Sequence, residues 1–573
     1  MMQNTQVLIV GGGPTGLTAS VLLSKLNISH MLVERREGAQ PAPAAHVVSA
    51  RTLEIFRHAG LPVDDFYKLD RHPNARFVVW KTNLRGETLG RLDMRGDAEA
   101  MKAQMQVSNE HSTNISQTLL EENLLNEAKK SACADIRFGV RWQGFIDDDT
   151  HRSQLSLSNG ENLEVQADYV LAADGAGSSV SRALGIKKQG PESIAKLLNL
   201  SCEVDAAAVT SEPEGLLCWC LDPGSPGTLI VHDPNNLCVF MRPIFEPYEQ
   251  ESDYTDERCE AILKDTFGED VPVKLIFKGF WNMSAQVAER VRHDNVFLVG
   301  DAAHRFPPTG GLGLNTGVAD VNNLVWKIAA QINGNTDDSL LDSYALERLP
   351  VAQNNTDESL KNNDKMIEIP MALGLDPTKG SLLPKLMNNP LIRWLPDSAK
   401  NGLKGLLIAP IRKKLMTVLE PGEAGEQPRK AITDAIENQR EHFSTEGLDL
   451  GYVYRSGVAV AGSASLTPDN STISHYSPTP YAGARLPLVR VEHHGTKTST
   501  LDLLDYSQYT LFTHQTNVEE MQTFGLPISQ IYIADGFSDE SQEKLTRQLL
   551  LNPGSWLLVR PDGHIAARSD VDK

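Results

Sequence analysis

A glycine-rich turn near the start of the chain has residues of the type and spacing that hold a pyrophosphate. Gly11, Gly13 and Gly16 form a GxGxxG pattern, and Glu34 follows at roughly the 20-residue spacing at which a carboxylate meets a ribose hydroxyl. Glycine lets the backbone approach a phosphate closely, and a helix that starts at the turn supplies N–H groups and a positive dipole. The pattern predicts dinucleotide binding without choosing between FAD and NAD. The alternative is a turn whose glycines serve only tight packing.

Two aspartates stand further along the chain, each where an apolar run ends. Asp174 follows the run 167–173, and Asp301 follows the run 295–299. Ligands of α/β sheets bind at the carboxyl ends of strands, so both side chains are candidate cofactor contacts. After Asp301, residues 307–317 read PPTGGLGLNTG. These glycines suit close approach to a flat ring, and a helix that follows them would stabilise negative charge on that ring.

The elements that must position these residues are predicted from hydrophobic periodicity. Strand 6–10, helix 17–26 and strand 29–33 form one βαβ unit around the glycine turn, as dinucleotide-binding folds require. Helical spacing of apolar residues continues from Val318 to Ile332. Further strands are predicted at 76–81, 227–232, 237–241, 509–513, 530–534, 556–560 and 565–568, with an Asp562-Gly563 hairpin turn before the last.

Composition disfavours several classes of partner and location. The formal net charge is −20, from 54 Lys and Arg against 74 Asp and Glu, which disfavours nucleic acid and anionic membranes as partners. No apolar run approaches the ~20 residues of a membrane span. The N-terminus lacks signal-peptide features, so we expect a cytoplasmic protein. Six cysteines without CxxC spacing predict free thiols, with no disulfide framework and no metal site: Cys133, Cys202, Cys218, Cys220, Cys238 and Cys259.

The motifs in this order resemble the single-component (class A) FAD-dependent aromatic hydroxylases, and within them the phenol hydroxylase-like group with an extra C-terminal domain. The resemblance covers nearly the whole chain. It rests on the glycine motif, the DG motif at Asp174, the GD motif at Asp301 and the PPTGGLGLNTG segment. Later phrases of the same kind are YALER at 344–348, LGYVY at 450–454 and GARLP at 483–487.

This resemblance implies roles for the adenosine and flavin contacts. Glu34 would bind the adenosine ribose, Gln117 would contact the flavin side, and Asp301 would contact the ribityl chain. Asp174 would help to hold both noncovalent FAD and the nicotinamide. The segment that contains Gly313, Leu314 and Asn315 would present its backbone to the isoalloxazine ring.

Two further implications concern the phosphates and the nicotinamide. Many family members place a basic residue where Ala44 stands, so Arg35, Arg36 and Arg51 are candidates to replace it near the pyrophosphate. No second strand-framed GxGxxG exists in the chain. NADPH or NADH would therefore bind transiently, and the preference between them stays open.

The resemblance also implies a reaction. NAD(P)H would reduce FAD, O2 would add as a flavin C4a-hydroperoxide, and oxygen would pass to a phenolic or related electron-rich aromatic substrate. His46 lies in the segment where the family places a base, so it is the candidate catalytic residue. Baeyer–Villiger oxidation or epoxidation on the same scaffold is the first alternative. A flavin dehydrogenase or halogenase, or a nonenzymatic flavin-binding protein, is a weaker one.

The expected fold class is α/β, with a discontinuous Rossmann-like (GR2-type) FAD-binding domain, a mixed-sheet substrate domain and a thioredoxin-like C-terminal domain. No cysteine lies beyond Cys259, which excludes disulfide exchange in that last domain. A homodimer is an open alternative to a monomer. The expected boundaries are 1–75, 110–190 and 290–345 for FAD, 76–109 and 191–289 for substrate, 346–445 for a helical linker with Pro370, Pro377 and Pro384 as breakers, and 446–573 for the C-terminal domain.

Overall fold

The structure is a computed structural model. It describes residues 2–38, 40, 45–147, 150–209, 215–334, 337–375, 381–389, 392, 394–457, 471–514, 521 and 523–569.

The strands of the described residues are numbered in chain order. They are β1 Met2–Val10, β2 His30–Glu34, β3 Val47–Val48, β4 Phe77–Lys81, β5 Thr88–Asp93, β6 Thr113–Asn114, β7 Ala134–Phe138, β8 Arg141–Phe145, β9 Ser153–Ser156, β10 Asn162–Ala172, β11 Lys188–Gln189, β12 Ala195–Val204, β13 Leu217–Cys220, β14 Gly227–Asp233, β15 Leu237–Ile244, β16 Val273–Met283, β17 Gln286–Ala288, β18 Arg292–His293, β19 Val296–Leu298, β20 His304–Arg305, β21 Arg490–His493, β22 Thr496–Ser499, β23 Tyr509–Thr513, β24 Ile528–Tyr532, β25 Trp556–Val559 and β26 Ile565–Arg568.

The α-helices are numbered in the same way. They are α1 Pro14–Lys25, α2 Ala50–Ala59, α3 Val63–Tyr67, α4 Ala98–Val107, α5 Gln117–Ala128, α6 Ser179–Ala183, α7 Asp256–Phe267, α8 Leu312–Ile332, α9 Ser339–Lys365, α10 Glu368–Ala372, α11 Leu382–Met387, α12 Asp397–Met416, α13 Glu423–Glu437, α14 Arg440–Phe443, α15 Glu446–Leu450 and α16 Asp539–Leu549.

The first sheet is built around β1, whose last four residues are almost completely buried. Its strand order is β18-β19-β10-β1-β2-β7, and all pairings from β19 to β7 are parallel. Strands buried on both faces need continuous apolar runs, which β1 and β2 supply. This order brings the carboxyl ends of β1, β10 and β19 to one edge, where the glycine turn, Asp174 and Asp301 follow them.

The second sheet has seven strands in the order β16-β12-β15-β14-β13-β4-β5. Its pairings are antiparallel except for β4 with β13. Buried residues such as Leu198, Leu200 and Phe240 belong to the apolar core that this sheet shares with α7. The opposite face, which includes Leu197 and Asn199, lines a cavity.

The third sheet has the order β24-β23-β25-β26, with β23 and β24 parallel and the other pairs antiparallel. Helix α16 connects β24 to β25, and a hairpin joins β25 to β26. This is the arrangement expected of a thioredoxin-like fold, and the mixed α/β class predicted for the chain is confirmed. The boundaries proposed for the four domains stay predictions.

Pro370 and Pro384 are predicted to interrupt helices, but each lies inside a short helix. Pro370 is the third residue of α10, and Pro384 is the third residue of α11. The first turn of a helix tolerates proline because its N–H groups have no partner within the helix. Pro377 lies outside the described residues. Within the described part of the chain, no helix combines the length and apolar character that a membrane crossing needs.

Candidate active site

A cavity of about 1750 Å³ lies between the first and second sheets. One wall comes from the glycine turn, Asp174, Asp301 and the N-terminus of α8, and the other comes from β12, β14 and β15. Ligand pockets usually measure roughly 300–1,000 Å³. The cavity is therefore large enough for a cofactor and a second ligand together.

Glycine is needed at Gly11 and at Gly13 of the first turn for different structural reasons. Gly11 has φ +114°, and a Cβ there would lie 2.2 Å from the carbonyl oxygen of Ala173. Gly13 precedes α1 without a side-chain cap, and a Cβ there would meet nothing closer than Glu121 Oε1 at 3.9 Å. Gly11 is therefore required by packing, whereas Gly13 keeps the helix N-terminus open towards the cavity.

Glu34 lies on the cavity wall at the end of β2, as the motif predicts. Its Oε2 accepts a hydrogen bond from the Gly12 amide at 2.7 Å, and its Oε1 accepts from the Arg36 amide at 2.9 Å. Burial opposes ionisation, but hydrogen bonds from Arg36 and Gly12 hold the pKa of Glu34 below its ordinary value. The ionised carboxylate keeps lone pairs that can accept from a ribose hydroxyl.

Asp174 caps the start of α6 with one of its two carboxylate oxygens. Oδ2 accepts from the Ser179 amide at 2.6 Å, the Ser179 hydroxyl at 2.8 Å and the Val180 amide at 3.2 Å. Oδ1 is buried and has no partner among the described residues. Because a buried carboxylate oxygen normally has a donor, Oδ1 is suited to a ligand hydroxyl or amide.

Asp301 presents its carboxyl group to the cavity beside Gly313. The surrounding protein raises its pKa, because burial outweighs the attraction of His304 and Lys188. The Lys188 ammonium donates to the Asp301 backbone carbonyl at 2.9 Å. The side chain of Asp301 is thus left available to a ligand.

The segment at the N-terminus of α8 is held in place by Asn315. The Asn315 amide oxygen accepts from the Ser49 amide at 3.0 Å and the Thr52 hydroxyl at 2.8 Å, and its amide nitrogen donates to the Gly311 carbonyl at 2.7 Å. The Asn315 side chain therefore fixes α2 against α8. The nearest atom to a Cβ built at Gly313 is Phe306 Cδ2 at 3.9 Å, so the backbone there is open to a flat ligand. Leu314 also lines the cavity.

Three other predicted contacts differ in their surroundings. Gln117 lines the cavity, but its amide is engaged by the Ala45 amide at 3.1 Å and by Glu121 Oε1 at 2.7 Å. Arg35 lines the cavity with an exposed side chain. Arg51 is not among the lining residues, and its guanidinium donates to the Asp562 carbonyl at 2.8 Å and to Glu54 at 3.3 Å.

A phosphate contact by Arg35 is therefore compatible with the geometry, whereas Arg51 belongs to a buried group of polar residues that does not line the cavity. Arg36, the third candidate, donates its Nε to Glu34 at 3.0 Å. Ala44 lies outside the described residues. The phosphate roles of all three arginines stay predictions.

His46 stands on the cavity wall just before β3. Its Nδ1 lies 3.0 Å from the Asn114 amide oxygen. Its ring meets the ring of His232 edge to face, with 5.4 Å between centroids. Burial lowers the pKa of His46 to about 4, against the raising effects of Asn114 and Asp70. The imidazole is therefore neutral near pH 7.

Several site residues were not found from the sequence. His232 lies on β14, where Thr228 and Ile230 also face the cavity at alternate positions. That period of two was a usable signal, because side chains on one face of a strand recur every second residue. Asn114 and Glu121 gave no signal, since both act through contacts with residues that are distant in the sequence.

The described residues fit an FAD molecule. The N-termini of α1 and α8 both lack side-chain caps. The buried Asp174 Oδ1 lacks a donor. Gly175 and Gly177 leave open space where side chains would stand. Uncapped N–H groups and unpaired acceptors along one edge of a parallel sheet suit a pyrophosphate and its ribose hydroxyls.

Comparisons with known proteins agree with this geometry. A family model described as "FAD binding domain" matches residues 4–359, and one described as "Aromatic-ring hydroxylase, C-terminal" matches residues 479–573. The chain is 28% identical to 2,4-dichlorophenol 6-monooxygenase of Cupriavidus pinatubonensis over 99% of its length and 93% of that protein. It is 29% identical to a putative polyketide hydroxylase of Streptomyces halstedii over 98% of its length and 93% of that protein.

A solved structure is similar to this chain over its whole fold. The flavin-dependent monooxygenase PieE, in complex with FAD and substrate, is similar with a TM-score of 0.83 and 26% identity, over 99% of this chain and 96% of that one. The predicted resemblance, the predicted FAD and the predicted enzyme class are confirmed. The chain belongs to the family of FAD-dependent aromatic-ring hydroxylases.

Proposed function

We propose that this monooxygenase hydroxylates a phenolic ring held beside His46, and that the imidazole of His46 accepts the phenolic proton. The observation that carries the proposal is the contact between His46 Nδ1 and the Asn114 amide oxygen at 3.0 Å. An amide oxygen can only accept, so Nδ1 carries the hydrogen of the neutral ring. Nε2 is then the unprotonated nitrogen.

The surroundings of Nε2 support its use as a base. It makes no hydrogen bond with any described residue, while His46 itself lines the cavity. A pKa of about 4 keeps the nitrogen unprotonated at neutral pH. That value alone would make it a weak base. A phenolate formed next to the ring would raise the imidazolium pKa, since an opposite charge favours the charged form.

The second sheet supplies a wall suited to an aromatic ring. Apolar and aromatic side chains from β12 to β16 face the cavity, and they include Leu197, Trp219, Ile230, Met241 and Trp281. Such a wall excludes water and orients a ring by shape, while a few polar groups set its direction. The imidazole of His46, from one wall of the cavity, contacts the imidazole of His232, from the opposite wall.

Bound FAD, once reduced by a nicotinamide, supplies the activated oxygen. The described residues would hold it at the N-termini of α1 and α8 and at Asp174 and Asp301. A ring that has given its proton to His46 carries more electron density and so accepts an electrophilic oxygen faster. O2 and a phenolic compound are thus the small-molecule partners that we propose.

The proposed location is the cytoplasm, with no nucleic-acid partner. All six cysteines are free in the structure, and five of them are buried. Free thiols are typical of reducing compartments. The net charge of −20 disfavours nucleic acid.

The experiment is a screen of phenols and fused-ring phenols for stimulated NADPH and NADH oxidation, followed by product mass analysis under ¹⁸O2. Hydroxylation predicts one labelled oxygen in a product that resists mild alkaline hydrolysis. A labelled ester or lactone that hydrolyses would instead indicate Baeyer–Villiger oxidation, which the comparisons do not favour over hydroxylation. A yellow protein that oxidises no nicotinamide with any phenol would contradict the proposal.

A further inference from the structure

One segment of the described chain has an unusual concentration of exposed apolar side chains. Half of the large exposed hydrophobic residues in the described chain lie between residues 382 and 419, and we call these nine side chains, with the described lysines among them, the 382–419 patch. Trp394 is 90% exposed and Leu406 is 75% exposed. The other members are Leu382, Leu386, Leu395, Leu407, Ile411, Met416 and Leu419.

Helix α12 shows why these side chains are not explained by the fold. It buries Ile408 and Leu415, which lie two turns apart on one face. Leu406 and Leu407 remain outside that face and are exposed. A surface helix normally carries polar residues opposite its buried stripe. α12 therefore has a second apolar surface that no described residue covers.

The patch is also basic, although the protein as a whole is acidic. Residues 382–419 contain seven Lys and Arg and one Asp, in a chain of net charge −20. Lys385 and Lys413 are exposed, and Lys385 lies 5.8 Å from the ring of Tyr248. The sequence of this segment is therefore basic although the whole chain is acidic.

We propose that the 382–419 patch binds the surface of an anionic lipid membrane, without crossing it. A tryptophan and leucines that stand among lysines match the interfacial mode, in which apolar side chains enter the headgroup region and cations meet anionic lipids. A second copy of the chain is a poorer occupant. A two-fold contact would place the basic patch against itself, and like charges facing each other oppose association.

The position of the patch gives this binding a defined orientation. Arg412 on α12 holds Asp222 at 2.7 Å, in the connection from β13 to β14 whose Leu221 and Pro226 line the cavity. On nearby α10, Pro370 lines the cavity while Met371 is 61% exposed. A membrane bound at the patch would thus lie against the outside of one cavity wall.

The test measures binding of the full-length, FAD-loaded protein to vesicles by co-sedimentation. The vesicles contain phosphatidylcholine alone or with 30% phosphatidylserine. The protein should sediment with the anionic vesicles and less so with neutral ones. It should also sediment less in 0.5 M salt, because screening weakens the attraction between the lysines and the anionic headgroups. Flavin absorbance of each variant confirms that it is folded and loaded.

Two variants separate the apolar and charged contributions. Leu406→Glu should lower binding to both kinds of vesicle, whereas Met2→Glu, at another exposed apolar residue, should not. Lys385→Gln with Lys413→Gln should lower binding to anionic vesicles about 30-fold, since each lysine near an anionic surface contributes about 1 kcal/mol. Binding to neutral vesicles should change little.

Three outcomes would overturn the proposal. The first is no sedimentation with anionic vesicles. The second is an equal effect of Leu406→Glu and Met2→Glu. The third is a dimer, seen by analytical ultracentrifugation without lipid, that Leu406→Glu converts to monomer, because the patch would then be an interface between copies. None of these readouts depends on identifying the aromatic substrate.

Discussion

Glu54 on helix α2 and Arg485 form a buried ion pair across 431 residues of sequence. The Arg485 Nε donates to Glu54 Oε2 at 2.9 Å, and its Nη2 donates to the other carboxylate oxygen. Burial opposes both charges, but the pair holds the pKa of Glu54 below its ordinary value and that of Arg485 above its own. The C-terminal part of the chain is thereby tied to the helix that follows His46.

Replacing Arg485 by Met should lower the free energy of unfolding by about 3–5 kcal/mol, because it leaves the buried Glu54 carboxylate without its strongest partner. The control is Arg490→Met, since Arg490 is exposed and its guanidinium donates to the Asn109 amide oxygen and the Met105 carbonyl. Urea unfolding followed by tryptophan fluorescence gives both values. Equal losses in the two variants would contradict a specific role for the buried pair.

The protein should become less stable as pH falls from 6.5 to 4. Burial lowers the pKa of His564 and His58 to about 4 and that of His442 to about 3. Unfolded histidines take up protons first, near pH 6.5, so the unfolded state is favoured in this window. For the fully buried His564 the effect amounts to about 3 kcal/mol below pH 4.

Three carboxyl groups oppose this trend, because burial raises the pKa of Asp449, Asp301 and Glu446. Burial raises the pKa of Asp449 to about 7, so the folded state binds that proton first and gains stability between pH 7 and 4. Histidines with lowered pKa values, which also include His46, His30, His72, His111 and His232, outnumber these carboxyl groups, and a lower urea midpoint at pH 5.0 than at pH 7.5 is the expected net result. An unchanged or higher midpoint at pH 5.0 would contradict the buried neutral state of these imidazoles.

Replacing His46 by Ala should slow hydroxylation by roughly 10²–10⁴-fold, the usual contribution of a positioned base. FAD should stay bound, because no described contact of the His46 side chain belongs to the residues that fit the cofactor. More of the oxygen should be released as peroxide, since a ring that keeps its proton reacts more slowly. Product and peroxide are measured per NAD(P)H consumed.

His111→Ala is the matched control for that experiment. His111 is a second cavity-lining imidazole, and it stacks on Tyr67 with 4.4 Å between ring centroids. Its removal should leave coupling close to that of the unchanged protein. Wild-type turnover and coupling in His46→Ala, on the best substrate of the screen, would exclude the proposed base.

Replacing Gly13 by Ala should weaken FAD binding while the protein still folds. The new methyl group meets only Glu121 Oε1 at 3.9 Å, so it fills the space in front of the α1 N-terminus rather than a packed core. Gly38→Ala is the control, because nothing lies within 4 Å of a Cβ there. Titration of the apoprotein with FAD, followed by flavin fluorescence, measures both affinities.

Two outcomes would contradict this assignment of Gly13. One is an unchanged affinity for FAD, and the other is an equal loss in both variants. Gly11→Ala should behave differently, since its Cβ would lie 2.2 Å from the Ala173 carbonyl oxygen. That variant should lose folded protein as well as flavin.

The parts of the fold that follow local rules were predictable. Strand 509–513 and strand 565–568 are found with the predicted bounds. The helix after Gly13 begins at Pro14, three residues earlier than predicted. Proline at the first helical position accounts for the difference, because its fixed φ suits a helix start.

The contacts inside the site were less predictable, because they join segments far apart in sequence. Arg51 is one of three arginines predicted to replace the basic residue missing at Ala44, but its partners Glu54 and Asp562 include one from the C-terminal part of the chain. Glu121 Oε2 accepts a hydrogen bond from the Gln40 amide at 3.0 Å. The sequence around Glu121 and the sequence around Gln40 contain no motif that predicts this contact. Periodicity shows which face a side chain takes, but not which distant residue meets it.

The order of the strands in the first sheet has a consequence for folding during translation. Strand β1 leaves the ribosome before the other strands of its sheet, but its neighbour β10 lies at residues 162–172, and β19, the next strand in the sheet, lies at 296–298. Arg485, the partner of Glu54, comes later still. Contacts this distant cannot form while the intervening chain is still being synthesised. The nascent polypeptide must therefore carry the apolar β1 strand without its neighbour β10 until residue 172 has been made, and it should not acquire flavin before Asp301 and the N-terminus of α8 have been synthesised.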